Sequence, residues 1–400
     1  MEAIYAAFGV SWLYEQLLYQ LLMYQSLDTY DLQENQTVEE VVHMLQGCEV
    51  GTGMKLIELI LKQYPRFQYN TIGNISWLDH DDDGNPDYPP NGLQVCTFRN
   101  PEANTCSVAF RGTPRGAWLD NAKMLIGDTA YCQPFTDLDG RQWSYLSPMQ
   151  AEAMEYIKWL IGKYGDEWYQ SGTRHYVTGH SKGGNQAQLT MILYPFYFDA
   201  GLSMNGPGMS AAMLEEIREF RGDNLDILVN WRLFALNASG DVVNQLGYSL
   251  VPAEQTYYFR ESECEPVVLC NHSLNALFDQ ETAGLPSLTA DRGAAAVFAE
   301  RLFLSAMELE VKERADVFMT LMGVLQVILG RSLPVNAAGE NWFRFIAGLD
   351  DGGIRAAKIM ITVLFETEEG KKFLDDMGVT QHEVAVKVTS LGGKDCLPAG

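Results

Sequence analysis

Positive charge is what this 400-residue chain has least of. Its 28 Lys and Arg stand against 52 Asp and Glu, a net charge of −24, and no Lys or Arg precedes Lys55. A surface of that sign repels phosphate backbones and anionic bilayers, which sets nucleic acid aside as a partner. A secretory leader needs a basic n-region and a small-residue cleavage site. Neither is found, and the N-terminal apolar residues Ile4, Phe8, Trp12, Leu17, Leu18, Leu21 and Leu22 recur at helical spacing. The expectation is an amphipathic helix on a cytoplasmic protein. Cysteine is sparse as well: seven spread over the chain make no disulfide framework. Cys96 and Cys106 could face each other across a hairpin, but a reduced chain is the simpler expectation. Long apolar runs are missing too. The nearest, Val317 to Leu329, is broken by Thr320, Gly323 and Gln326, so no transmembrane segment is expected. Gly-X-Y periods, sustained heptads and internal repeats are absent, which excludes collagen-like, coiled-coil and solenoid architectures.

What the chain does have is core material. Hydrophobic residues make up 47%, and 18 Phe, 19 Tyr and 8 Trp require burial or a ligand. The length allows two or three domains or one enlarged α/β domain. Residues 1–64 read as helical and packed on a core. The segments Leu93 to Phe98 and Thr105 to Phe110 read as a hairpin around a turn-forming stretch. Strands and helices then alternate, the mark of a mainly parallel sheet covered on both faces. Ser147-Pro148-Met149-Gln150 is a helix start with a capping box; Met154, Ile157 and Ile161 form its apolar side, and Gly162 or Gly165 is its expected end. Further on come a strand at His175 to Thr178, a helix at Asn185 to Leu193 and a strand at Leu202 to Asn205. A helix at Ser210 to Phe220 closed by Gly222 follows, then a long strand at Ile227 to Leu236. Residues 65–284 thus read as an α/β core. Residues 285–400 read as a helical appendage, with helices at Ala294 to Lys312, Asp316 to Leu329, Trp342 to Ala347 and Ile354 to Phe365.

The sharpest motif is GHSKGG, Gly179 to Gly184, a G-x-S-x-G around Ser181 with HYVT before it and NQAQLTMIL after it. A serine on a tight strand-to-helix turn projects its Oγ from the carboxyl edge of a sheet, and small residues at 179 and 183 let strand and helix approach. The hydroxyl needs a base, and the base needs an acid to orient it. In α/β-hydrolases these follow in the order Ser, Asp or Glu, His. Only His272 and His382 lie after Ser181. His272 follows the apolar stretch Pro266 to Cys270, where a loop is expected to leave a strand, and is the preferred base; His382 lies deep in the tail. His180 reads as a structural hydrogen-bonder, and His43, His80 and His175 as surface or loop residues. Asp241, just beyond a strand's carboxyl end, is the preferred acid, since Asp199 and Asp226 fall at the opposite edge. Attack leaves charge on the carbonyl oxygen, and each lost oxyanion donor costs about 3 kcal/mol of transition-state stabilisation. The residue after the nucleophile, Lys182, supplies one N–H. Thr113, at the end of the strand VAFRGT, supplies the other.

FRGT with a following Trp-Leu-Asp segment, then GHSKGG, then GDVV and a late His, resembles the class 3 (fungal-type) lipases. It is more similar still to a bacterial branch of lipase-like proteins with the GHSKGG elbow and an NGPG segment, Asn205 to Gly208. The likeness runs from about Leu27 to Phe278. It implies an α/β-hydrolase fold of the class 3 lipase arrangement, here with extra N-terminal helices and a helical C-terminal appendage. It also implies hydrolysis of small-molecule or lipid esters by Ser181, Asp241 and His272, with Thr113 at the oxyanion hole. The chain departs from the family at Lys182, where Leu is usual, in Val-Val-Asn after the acid, and in its long helical tail. An acyltransferase with the same triad, or a non-catalytic lipid- or partner-binding module on this fold, are the alternatives. The chemistry needs no cofactor. Asp79, Asp81, Asp83 and Gly84 match the opening of a calcium-binding EF-hand loop, but Pro90 stands where a bidentate Glu is required. A solvated acidic turn is the stronger expectation there.

Overall fold

Strand and helix alternation builds one seven-stranded sheet whose spatial order follows the chain. In the computed structural model, residues 1–25, 32–46, 52–75, 79–80, 86–87, 92–113, 118–260, 267–330, 365, 367–368 and 371 are described. The strands are β1 (Thr71–Ile75), β2 (Val95–Asn100), β3 (Thr105–Phe110), β4 (Arg174–His180), β5 (Ala200–Met204), β6 (Leu233–Ala238) and β7 (Thr256–Phe259). The first three pair antiparallel, and β3 to β7 are parallel. Register aligns Phe110 with Gly179, His180 with Met204, and Met204 with Leu236. The carboxyl ends of β3 to β6 are therefore level, and the loops that leave them share one edge.

Both faces of the sheet are covered, and the period-two alternation of side chains decides which core each residue joins. Tyr176, Leu202, Met204 and Phe234 pack with α1 (Glu2–Met23), α2 (Val38–Leu45) and α3 (Thr52–Gln63). Val108, Val177, Leu233 and Ala235 face the other way, toward α5 (Pro148–Ser171), α6 (Lys182–Leu193) and α7 (Ala211–Arg221). A third apolar cluster joins Ala122, Leu125 and Ile126 of α4 (Trp118–Ile126) to Phe303 of α10 (Ala294–Met307) and Val317 and Phe318 of α11 (Val311–Gly330). Among the described residues no helix is long and apolar enough to cross a membrane. This mainly parallel sheet flanked by helices, with a strand–turn–helix elbow at β4, is the α/β-hydrolase fold.

Several local expectations are corrected. Helix α5 runs through Gly162 and Gly165 and stops at Gly172 in a left-handed conformation. A mid-helix glycine costs about 1 kcal/mol without breaking the hydrogen-bond ladder. The long strand at Ile227 to Leu236 is instead a short helix, α8 (Leu225–Val229), then β6 after a turn with Trp231 at φ 61°. An apolar run as short as Ile227 to Val229 carries no period by which to separate helix from strand. The helix at Ala294 to Lys312 ends at Met307, and α11 begins at Val311. His175 is buried at the start of β4 rather than lying on the surface. Cys96 faces Ala109 across the hairpin, so Cys96 and Cys106 are not opposed, and both are free thiols. Cys270 is disulfide-bonded, which departs from the reduced chain expected. The segments Trp342 to Ala347 and Ile354 to Leu364, and His382, lie outside the described residues.

Candidate active site

The strand–turn–helix elbow at Gly179 to Gly184 is specified by its glycines. A Cβ on Gly179 would sit 2.0 Å from the Gly183 carbonyl oxygen, and one on Gly183 would sit 2.2 Å from the Phe110 oxygen. Only hydrogen fits at either place, so β4, β3 and α6 pack backbone to backbone. Ser181 takes φ 59° and ψ −128°, a conformation that costs a non-glycine residue about 1–3 kcal/mol. Its N–H donates to the Met204 carbonyl at 2.9 Å, which ties the elbow to β5.

Around that serine the fold gathers residues far apart in sequence. His272 ends α9 (Val267–His272), a short helix rather than the loop after a strand that was expected. Its Nε2 lies 2.9 Å from Ser181 Oγ, and its Nδ1 lies 3.0 Å from Asp241 Oδ1. A carboxylate only accepts, so Nδ1 carries the hydrogen and Nε2 is left with a lone pair toward the serine hydroxyl. Asp241 follows β6 and is wholly buried; its two oxygens also accept the Val243 and Asn244 N–H groups at 3.0 and 3.1 Å.

Thr113 follows β3, and its Oγ1 lies 3.0 Å from the Asn121 amide nitrogen. The chain passes hard against Ser181 just before it, since a Cβ on Gly112 would come within 2.9 Å of Ser181 Cβ. Lys182 opens α6, and its side chain turns inward. Nζ lies 2.5 Å from Asp120 Oδ2 and 3.1 Å from Ser147 Oγ, with no exposure to solvent. Burial would raise the Asp120 carboxyl, but the Lys182 charge and the bonds from Lys182, Ser147 and Met149 outweigh it and hold it below its ordinary value. Burial of Lys182 pulls its ammonium down, with Asp120 opposing.

Three contributors escape a reading of spacing alone. The Asn205 side chain accepts the Ala238 N–H at 2.8 Å and donates to the Asn271 carbonyl at 3.1 Å. It joins β6, which leads to Asp241, to α9, which carries His272. The second is Tyr24, just past α1. Its hydroxyl lies 2.7 Å from His180 Nδ1 and accepts the Gly112 N–H at 3.1 Å. His180 Nε2 is 2.8 Å from the His272 carbonyl, which can only accept, so Nε2 carries the hydrogen and Nδ1 accepts from Tyr24. Burial, and then the neighbouring His272, push His180 well below the ordinary histidine range, so it stays neutral. Burial raises Tyr24 to about 12, and Arg111 stacks its guanidinium over the Tyr24 ring at 5.3 Å. Asp120 is the third. Asn205 stands in the NGPG segment and Asp120 in the Trp-Leu-Asp segment, so those motifs mark the positions without revealing their bonds.

Most of the acidic loop lies outside the described residues. Asp79 pairs its backbone with Asp87 in a short antiparallel bridge, and Asp81 and Asp83 lie outside the described residues. Among the described residues no cluster of three His, Cys, Asp or Glu is placed to hold a metal ion.

No family model and no curated protein matches the chain. Solved structures similar to it include a triacylglycerol lipase from Penicillium expansum, at 13% identity, 56% of this chain, 81% of that one and a TM-score of 0.29. A fungal lipase matches at 13% identity, covering 68% of this chain and 88% of its own, with a TM-score of 0.34. The lipase of Rhizomucor miehei in its propeptide complex matches at 13%, 59%, 78% and 0.31.

Proposed function

We propose that this chain is a serine hydrolase of carboxylic esters, lipase- or esterase-like, that works through an acyl-enzyme. One observation carries the reading: a single imidazole bridges the Ser181 hydroxyl at 2.9 Å and a wholly buried carboxylate at 3.0 Å. His272 Nε2 takes the Oγ proton as Oγ attacks the ester carbonyl, and Asp241 stabilises the imidazolium that forms. The amides of Thr113 and Lys182 are the donors we assign to the oxyanion. The imidazolium then protonates the departing alcohol. Water, deprotonated by the same histidine, releases the acid and restores the serine.

The test is intact-protein mass after exposure to a fluorophosphonate probe, run beside turnover of p-nitrophenyl esters of graded chain length. One adduct at Ser181 and ester turnover are expected. The Ser181→Ala variant should lose both, with kcat down by about 10⁴- to 10⁶-fold and an unchanged melting temperature. Turnover that survives in Ser181→Ala would overturn the assignment.

A further inference from the structure

The two groups assigned to the oxyanion belong to different parts of the chain, one after β3 and one at the start of α6. Their separation is therefore a matter of tertiary structure. Side-chain bonds and the peptide bond between Asp120 and Asn121 link them in series. Lys182 Nζ holds Asp120 Oδ2 at 2.5 Å and the Asp120 carbonyl at 3.4 Å. Asp120 lies in the first turn of α4, and its neighbour Asn121 reaches Thr113 Oγ1 at 3.0 Å. The series is anchored from a third side by the start of α5. Ser147 Oγ donates to Asp120 Oδ2 at 2.7 Å, and the Met149 N–H donates to Asp120 Oδ1 at 3.2 Å. Asp120 thus accepts from Lys182, Ser147 and Met149, and it touches no reacting atom.

Packing alone does not call for an ion pair here. Two well-packed apolar side chains of similar volume are commonly as stable as a buried pair or more so, because desolvating both charges costs several kcal/mol. A directional link between two loops is a different matter. Aliphatic side chains slide past one another, whereas the carboxylate–ammonium contact with its added hydroxyl and amide bonds has one geometry.

We infer that Asp120 is a positioning residue for the proposed hydrolase: through the Lys182 side chain on one side and Asn121 on the other, it sets the spacing of the two oxyanion donors. The inference rests on the function proposed above. It adds a residue to the machinery and gives the unusual lysine of the elbow a task beyond its backbone N–H. Since the donors matter most when the oxyanion is present, loosening the pair weakens transition-state binding and leaves ground-state ester binding alone.

The experiment compares wild type with the Asp120→Asn/Lys182→Met double variant, which removes both charges together and leaves no buried ion unpaired. Four quantities are read: the melting temperature, kcat and KM on a p-nitrophenyl ester, and Ki for an alkyl trifluoromethyl ketone. That ketone accepts Ser181 Oγ reversibly and places an oxyanion in the hole. The expected result is kcat lowered about 10- to 100-fold with KM unchanged, and Ki raised by the same factor. A purely structural pair would shift the melting temperature and leave kcat and Ki at wild-type values, which overturns the inference. If the double variant does not fold, Ser147→Ala keeps both charges and removes only the hydroxyl between them. It should then raise Ki several-fold in step with the loss in kcat, and an unchanged Ki again overturns the inference. Failure of the underlying function is distinguishable, because wild type itself would then neither turn over the ester nor bind the ketone.

Discussion

Every residue from His175 to Pro195 is buried, and Ser181 sits within that stretch on a strand–turn–helix unit shaped by its own backbone. His272 is placed differently. It ends a helix of 6 residues and keeps 17% of its side chain exposed. Its position depends on bonds from elsewhere: the Asn205 amide to the Asn271 carbonyl, the His180 ring to its own carbonyl, and Asp241 to its Nδ1. A disulfide at Cys270 lies two residues away. Ser181 is thus fixed by local sterics and His272 by distant side chains. Damage to the first should be all-or-none, while damage to the second should be graded.

The largest effect is expected at the elbow. Gly183→Ala forces a Cβ to 2.2 Å from the Phe110 oxygen, a contact that backbone cannot yield to cheaply. The variant should lose at least ~3 kcal/mol of stability and all measurable turnover, read by urea unfolding and ester assay. Asp241→Asn comes next. It keeps the shape but lets the base settle in the wrong tautomer, and kcat should fall by roughly 10⁴-fold with little change in melting. On the base side, Asn205→Ala strips a partner from the Ala238 N–H and the Asn271 carbonyl. We expect a loss of about 2–4 kcal/mol and roughly tenfold in kcat/KM, and a wild-type kcat/KM would show that α9 holds its place without the amide. Tyr24→Phe removes one hydroxyl from between Gly112 and His180, with an expected cost of about 1–3 kcal/mol and a loss in kcat of tenfold or less.

The smallest and broadest effect is a pH dependence of stability. Burial lowers His175 to about 4 and holds His180 well below the ordinary range, so the folded chain keeps both neutral while the unfolded chain protonates them near 6.5. Below that value the unfolded state binds more protons, so stability is full above about pH 6.5 and drains away as the pH falls toward 4. For His175 alone the loss amounts to roughly 3 kcal/mol across that window. Thermal melts between pH 7 and 4.5 should show it, and His175→Gln should flatten the slope.

The same contrast explains what was legible in the sequence. A steric rule acts on neighbours, so Gly179, Ser181 and Gly183 announce the elbow in a few letters. The alternation of strands and helices likewise showed the sheet, and β3, β4 and the start of α5 fall close to where periodicity and capping put them. The three residues grouped at the centre are the ones that chain order and elimination single out, since few histidines follow the serine. Ties across the fold follow no spacing rule. Nothing near Tyr24 says that it reaches Gly112 and His180, and nothing near Lys182 says that its ammonium is buried against Asp120. The glycines of α5 misled because propensity is a weak force beside a packed helix face. Ile227 to Val229 misled because a short apolar run suits a helix as well as a strand.

The hydroxyl of Tyr24 also bears on how the molecule comes into being. It links a residue near the start of the chain to the elbow 156 positions later, and His180 passes the link to a carbonyl 92 positions further on. Contacts of that span close late when a chain folds. Because synthesis runs from the amino end, Gly179 to Gly184 emerge from the ribosome before His272 does. Recovery of turnover during refolding should accordingly lag behind the return of helical signal, timing the moment when the two ends of the fold meet.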